Sequence, residues 1–383
     1  MRIGINLLFL TNNTNTSIGK YTQNLLEGFR KINLLNSCYL FVRQCYYEKA
    51  KEDYPEATVV LIQAGKLSDF FLRHKKRHPN FAECYYLNRF VINSIAKKQQ
   101  IDLLFYPFND STICLPKKLP HVFVIHDLYY LHYPEFYGRF HYLYAKQKHQ
   151  YFLNHCNTII TISDFVKKEI LSHLKTSKEP SIQVIPNTIM TASKFTDFTP
   201  VDEPYILSVA SQTYSKNLIT LFRAFNLIKK RIPHQLIIIG NRMDMTHELQ
   251  SYVKQYNLGD RVLFLHDIPE EHLNSLYQNA SLVVAPSLFE SSGRVPIEAA
   301  LLKTPVITSR SGVLPEVTLG LLSYYEPTTD CHSLAIKIIE LLRDPPSEEV
   351  REQIAATYER KYNEVTVAKQ YLSIFQPETD KSI

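Results

Sequence analysis

No apolar run in these 383 residues approaches the roughly 20 that a bilayer-spanning helix needs. The opening stretch, Met1–Leu10, has one basic residue and a short apolar run but no small-residue cleavage pattern, so no secretory leader is expected. Cysteine is sparse. Cys38, Cys45, Cys84, Cys114, Cys156 and Cys331 include no Cys-x-x-Cys pair and share no spacing, which argues against a zinc ribbon or a disulfide framework and fits a reducing cytosol. Asp-x-Asp occurs nowhere, which disfavours an architecture that grips Mg²⁺ or Mn²⁺ through that motif, and no metal ligand set is expected. His-Glu-x-x-His, a Walker loop and Gly-x-Ser-x-Gly are missing as well, so zinc hydrolase, P-loop ATPase and α/β-hydrolase readings find little support. There is no internal repeat, no low-complexity tract and no nucleic-acid module, and a nucleic-acid partner is not expected.

What is present suits two domains of ordinary size, each with its own core. Charge is unevenly spread. Residues 1–200 hold 25 Lys and Arg against 15 Asp and Glu, a net of +10, while the remainder is at −4. A basic first half suggests an anionic partner for that half. Its sharpest cluster, Arg73-His74-Lys75-Lys76-Arg77-His78, follows Phe70-Phe71-Leu72. Two readings stay open: a solvated loop, or contact with an anionic membrane surface. The second would make the protein cytoplasmic and peripheral at the inner face of a membrane.

Strand and helix patterns alternate along the chain, which predicts an α/β fold with parallel sheets. Residues 2–9 read as a strand, and Gly19 then precedes an apolar-periodic helix at Tyr21, Leu25, Leu26 and Phe29. Strands follow at 40–43, 58–61, 103–106, 122–125 and 158–162. The strand at 122–125 ends in His126-Asp127-Leu128, a polar pair where open α/β sheets bind ligands; the same pair could simply cap a loop and a helix. Residues 136–152 are rich in Tyr and His. Ser163 reads as a helix cap. The polar stretch from Asn187 to Pro204 suggests a hinge at 191–204, separating a first domain (1–190) from a second (205–350), with 351–383 as a terminal helical segment. In the second domain Lys216-Asn217 enters a helix running through Lys229. A lysine at a helix start is unfavourable unless an anion lies between it and the helix end, or unless it is a flexible surface side chain.

The most informative stretch is Ala285–Ala300. A buried strand at 281–285 breaks at Pro286 into a polar loop and resumes as a helix near Gly293. Glu290 falls in the loop and Glu298 in the first turns of the helix. Between them, Ser292 and Gly293 offer backbone N–H groups at a helix end that favours phosphate. Two carboxylates flanking such an end suit a ligand with hydroxyls on both sides of a diphosphate, and a nucleotide sugar fits. A Glu in a first helical turn also serves merely to complement the dipole.

Glu290, seven residues, then Glu298 in this strand–loop–helix setting resembles the signature of the retaining glycosyltransferases of family 4. Five further segments resemble family landmarks in the expected order: Ile18-Gly19-Lys20-Tyr21, His126-Asp127-Leu128 with Tyr133-Pro134-Glu135-Phe136, Val184-Ile185-Pro186-Asn187, Lys216, and Leu265-His266-Asp267-Ile268-Pro269. The resemblance implies a GT-B fold, with two Rossmann-like domains facing across a cleft and a C-terminal helix, about 348–375, crossing back to the first. It implies catalytic roles for Glu290, His126 and Lys216. The donor would be held by Gly19, Lys216, Asn217, Arg242, Ile268, Ser292, Gly293, Arg294 and Glu298, and the acceptor by Asp127, Tyr129 and Tyr133. The donor would be a nucleotide-diphosphate sugar, the acceptor a glycan or lipid-linked molecule, and no cofactor or metal would be needed. The chain departs from the family at Ser291-Ser292, where Gly and an aromatic are common. It departs also at Ser211-Gln212-Thr213-Tyr214-Ser215, which lacks an Arg that usually grips the diphosphate; Arg242 or Arg294 is the expected substitute. These departures leave open a non-catalytic member that binds a nucleotide sugar or partner without transfer.

Overall fold

The computed structural model describes residues 1–11, 16–63, 86–108, 115, 119–175 and 181–376; Arg73–His78, Cys84 and Cys114 lie outside them. The chain divides into two compact units, Met1–Thr188 with Glu364–Ile383, and Ile189–Asn363. In the first, β1 (Ile3–Asn6), β2 (Cys38–Val42), β3 (Thr58–Leu61), β4 (Leu103–Tyr106), β5 (His121–Ile125), β6 (Thr158–Thr161) and β7 (Ser181–Val184) form one parallel sheet. Its order is β3-β2-β1-β4-β5-β6-β7. The central strands are apolar over most of their length because helices cover both faces of such a sheet. β1, β4 and β5 are buried at every position. β7 is not anticipated by the sequence pattern: Ser181-Ile182-Gln183-Val184 alternates polar and apolar, as an edge strand with only one covered face does.

The Ser17–Lys31 helix starts where Thr16 accepts from the Gly19 amide at 3.0 Å, and it buries Tyr21, Leu25, Leu26 and Phe29 as its spacing predicts. Ser163 likewise caps the Asp164–His173 helix by accepting from Val166 N at 3.2 Å.

In the second unit, β8 (Tyr205–Val209), β9 (Gln235–Ile239), β10 (Val262–Leu265), β11 (Leu282–Ala285), β12 (Val306–Ser309) and β13 (Ser323–Tyr325) are ordered β10-β9-β8-β11-β12-β13, again all parallel. Strand order reverses between β1 and β4 in one sheet and between β8 and β11 in the other. At such switch points the connecting helices leave to opposite faces and open a crevice beyond the carboxyl ends of the strands. Both units therefore have the Rossmann-like topology.

The single helix expected over 348–375 is two helices, Glu348–Tyr362 and Glu364–Phe375. They part at Asn363, whose backbone is extended (φ −63°, ψ 152°) and whose side chain donates to Glu359 O at 2.8 Å and Arg360 O at 3.2 Å. The amide competes with the helix for its own last carbonyls and ends it. The first helix stays with the second unit, where Tyr358 donates to Thr318 O at 2.7 Å. The last helix belongs to the first unit and buries Val367, Ala368, Tyr371 and Phe375 in its core. Tyr371 meets the Tyr21 hydroxyl at 2.7 Å, its ring and that of Phe375 pack on Phe29 and Phe105, and Lys31 pairs with Glu364.

Gly28 sets how closely these helices approach. A Cβ built there would lie 2.4 Å from the backbone oxygen of Glu364 and 3.0 Å from Ala368 Cβ. Gly28→Ala should therefore lower the stability of this unit by about 1–3 kcal/mol, overpacking outweighing the better helix propensity of alanine. Thermal unfolding of the full chain checks it; a Gly28→Ala protein that melts higher than the parent would refute the close approach.

Candidate functional site

In the second unit the site residues lie on loops that leave the carboxyl ends of β8 and β11, the strands on either side of the switch point. The β8 loop does not pass straight into a helix. Tyr214–Lys216 forms one 3-10 turn, Asn217 adopts a left-handed conformation (φ 53°), and the helix begins only at Leu218. Lys216 thus stands ahead of the helix rather than within its first turn. Asparagine tolerates that backbone better than most residues, and its side chain is fully used. Asn217 Nδ2 donates to Pro286 O at 3.0 Å and Thr328 O at 2.8 Å, while Oδ1 accepts from Thr220 Oγ1 at 2.8 Å. Leu288 N donates to Ser215 O at 2.8 Å, so the β8 and β11 loops are joined by backbone and side chain.

That junction brings two expected residues together. Lys216 Nζ lies 2.6 Å from Glu290 Oε1, with the lysine 28% and the glutamate 15% exposed. Ser287 Oγ donates to the same carboxylate oxygen at 2.8 Å. The second carboxylate, Glu298, pairs with Arg294 one helical turn away and accepts from the buried Tyr277 hydroxyl at 3.2 Å. Burial, and then the charge of Glu298, push the Tyr277 phenol well above its ordinary pKa, so it remains a donor.

Gly293 starts the Arg294–Leu301 helix in a left-handed conformation (φ 57°), and a Cβ on it would lie 2.5 Å from Val317 Cγ2. No side chain caps this helix and no acidic residue occupies its first turn, which leaves its positive end facing the loop that carries Ser292 and Glu290. The strands on the other side of β8 contribute less. After β9, exposed Arg242 donates to His266 Nε2 at 3.4 Å, and Ile268 is half-buried in the loop after β10.

In the first unit, His126 follows β5 and is buried. Its Nε2 bonds to Pro107 O at 2.8 Å, which makes Nε2 the protonated nitrogen and Nδ1 the acceptor. Burial lowers its pKa against the opposing pull of Pro107 O and Asp127, so the ring is neutral at pH 7. Tyr21 packs edge-on against it, with centroids 4.6 Å apart. Asp127 Oδ1 accepts from Tyr129 N at 3.0 Å, starting the Tyr129–His132 helix, and the rings of Tyr129 and Tyr133 lie 4.8 Å apart. Gly19 sits inside the first turn of the Ser17–Lys31 helix.

Three contributors are absent from the expected set: Ser287, Tyr277 and Tyr325. Tyr325, the last residue of β13, donates to Pro286 O at 3.1 Å and Thr328 O at 3.0 Å, at the start of the β11 loop. Ser287 lies three residues from Glu290, within reach of a hydroxyl-to-carboxylate bond, and was discoverable locally. The two tyrosines come from other elements and leave no local trace.

Residues 190–360 match the family model of glycosyl transferases group 1, and residues 44–193 match that of glycosyltransferase family 4. The chain is 33% identical over 195 residues to O-antigen chain mannosyltransferase RfbU of Salmonella typhimurium, covering 49% of this chain and 52% of that protein. It is 23% identical over 350 residues to O-antigen chain mannosyltransferase B of Escherichia coli, covering 88% and 89%. The match thus spans about half the length of the first relative and most of the second. Anabaena Alr3699/HepE, solved with UDP-glucose, superposes with a TM-score of 0.72 at 15% identity, over 98% of this chain and all of the other. At that identity the likeness speaks for the fold alone, which is GT-B.

The first unit also buries His121 and His149, and burial pushes their pKa values down to about 4 and about 3. With His126 these rings fold neutral, while the unfolded chain takes up their protons below about 6.5. Their stabilisation is therefore complete above roughly pH 6.5 and is lost as pH falls towards the folded values, by up to about 1.4 kcal/mol per pH unit for each ring. Melting temperatures between pH 7.5 and 4.5 should fall steeply, and less steeply in His121→Gln and His149→Gln. Equal slopes in parent and variants would refute the assignment.

Proposed function

We propose that this chain, which belongs to glycosyltransferase family 4, moves a sugar from a nucleoside-diphosphate donor to a glycan or lipid-linked acceptor, with retention at the anomeric carbon and without a metal. The observation that carries the reading is the Lys216–Glu290 pair at the switch point of the donor-side sheet, beside an uncapped helix end at Gly293. The second unit is the donor domain on this reading, and the first, with its basic surface, the acceptor domain.

Departure of the diphosphate requires its growing negative charge to be met by fixed positive groups. Lys216 is already poised on a carboxylate. When the donor enters, its ammonium turns to the diphosphate, and Glu290, still held by Ser287, accepts hydrogen bonds from the sugar hydroxyls. The first-turn amides at Gly293 add to the positive field. Glu298 takes the ribose hydroxyls, with Tyr277 fixing its orientation. Arg294, one turn away on the same helix face, supplies the guanidinium missing between Ser211 and Lys216. The bond from the anomeric carbon to the phosphate oxygen breaks, the acceptor oxygen bonds to that carbon on the same face, and the acceptor proton passes to the leaving phosphate. His126, Asp127, Tyr129 and Tyr133 serve the acceptor, and Arg242 and Ile268 flank the nucleotide.

Similarity to two proteins named as O-antigen chain mannosyltransferases supports polysaccharide assembly as the setting, and puts a mannosyl donor first in any screen. No helix among the described residues is long and apolar enough to cross a membrane. On this reading the protein works in the cytoplasm, and Arg73–His78 contacts anionic lipid.

A second reading, binding without transfer, is favoured by one observation: the cations Lys216 and Arg294 are both already paired with carboxylates. A panel of nucleotide sugars screened for thermal stabilisation identifies the donor, and turnover then separates the readings. Lys216→Ala and Glu290→Ala should each lower turnover by about a hundredfold or more. Near-parental rates in either variant would sink the mechanism, and stabilisation without any turnover in the parent would select the second reading.

A further inference from the structure

Three helices of the second unit line a groove of about 590 Å³, none of whose lining residues is assigned to donor or acceptor. Ile219, Arg223 and Asn226 lie three or four apart on the Leu218–Ile228 helix and so share one face. Glu248, Tyr252 and Gln255 do the same on the Thr246–Gln255 helix, and Cys331 begins the third helix, Cys331–Arg343. Helix faces that merely pack together are apolar. These are mixed. Tyr252 and Tyr256, one turn apart, have ring centroids 4.3 Å from each other. Tyr256 stays 39% exposed and Leu227, also in the lining, 47% exposed. The Tyr252 phenol is where the helices converge. Burial and then Tyr256 raise its pKa, Arg223 and Asn226 of the facing helix lower it, and Cys331 raises it again.

The groove thus offers aromatic and aliphatic surface, amides that both donate and accept, and one cation, Arg223, matched by one carboxylate, Glu248. An anionic ligand would need a surplus of cations. A wholly apolar one would strip water from Arg223, Glu248, Asn226 and Gln255 and leave them without partners. A sugar ring meets both demands, with its C–H face on an aromatic ring and its hydroxyls donating and accepting around the edge.

We propose that this groove is a second carbohydrate site, holding a short oligosaccharide apart from the transfer centre. A smaller cavity of about 270 Å³ shares Ile219, Arg223 and Glu248 with it and is lined also by Tyr214, Asn217 and Leu288, on the loops that carry Lys216 and Glu290. A bound chain therefore rests on the helix whose entrance is the Asn217 turn. The site stands without the transfer reading; on that reading its occupant is a stretch of the glycan under assembly.

The test is calorimetric titration of the full chain with a panel of short manno-, galacto-, gluco- and rhamno-oligosaccharides. At least one should bind, and Tyr256→Ala and Arg223→Gln should each weaken it about tenfold. Both side chains are exposed, so unchanged melting temperatures should show that the variants are folded. The bound oligosaccharide should also slow alkylation of half-buried Cys331 severalfold, read on its own peptide by mass spectrometry, while exposed Cys45 of the first unit reacts as before. The proposal is overturned if no oligosaccharide binds, or if both variants bind as the parent does, which would place the sugar elsewhere. It is overturned also if Cys331 reacts equally fast with and without sugar, or if UDP or GDP protects it instead, since a nucleotide would then own the groove. Thermal stabilisation by UDP or GDP, measured on parent and variants alike, reads the donor site separately, so loss of one reading leaves the other standing.

Discussion

One carboxamide ties the second unit's site together. Asn217, in a left-handed turn, reaches the carbonyl of Pro286 at the end of β11 and that of Thr328 beyond β13, while its own oxygen takes the hydroxyl of Thr220. Three segments far apart in sequence are thereby fixed to one point. Lys216 is the residue before this knot and Glu290 lies four residues beyond Pro286, so their separation is set by Asn217 more than by their own flexible side chains. Buried amides of this kind are costly when only partly satisfied, which makes the arrangement all-or-none.

Around that knot the electrostatics are internally balanced. Each carboxylate expected to meet sugar hydroxyls carries a cation, Lys216 on Glu290 and Arg294 on Glu298, and each is steadied by a hydroxyl, Ser287 or Tyr277. Pairs this sheltered hold their geometry without a ligand, and an entering anion has only to exchange one partner of each cation for another. The same economy explains why the helix at Gly293 has no acidic residue in its first turn. A carboxylate there would offset the positive end of the helix.

Much of this was legible in the sequence because it is local. The apolar run of β11, its break at Pro286 and the glycine at the helix entrance announce strand, loop and helix, and the spacing of Glu290 and Glu298 follows. Gly19 and Ser163 announced helix starts in the same way. What escaped is non-local or marginal. Lys216-Asn217 was expected to open a helix, but the left-handed Asn217 holds the helix back to Leu218, and propensity does not foresee that. The final helix was expected to be continuous because Asn363 is only mildly unfavourable in a helix; its side chain ends the helix by bonding back. Tyr277 and Tyr325 reach the site from 21 and 39 residues away, distances over which no pattern within the sequence speaks.

The helix Glu364–Phe375 packs beside Phe29 and Phe105, yet it is made only after the whole second unit. During synthesis the nascent first unit must wait, its aromatic groove uncovered, while the whole second unit leaves the ribosome. The second unit, contiguous in sequence, can mature first although it begins later. Vectorial synthesis thus reverses the order that residue numbers suggest, and a prematurely ended chain would carry a finished second unit attached to an unfinished, sticky first one.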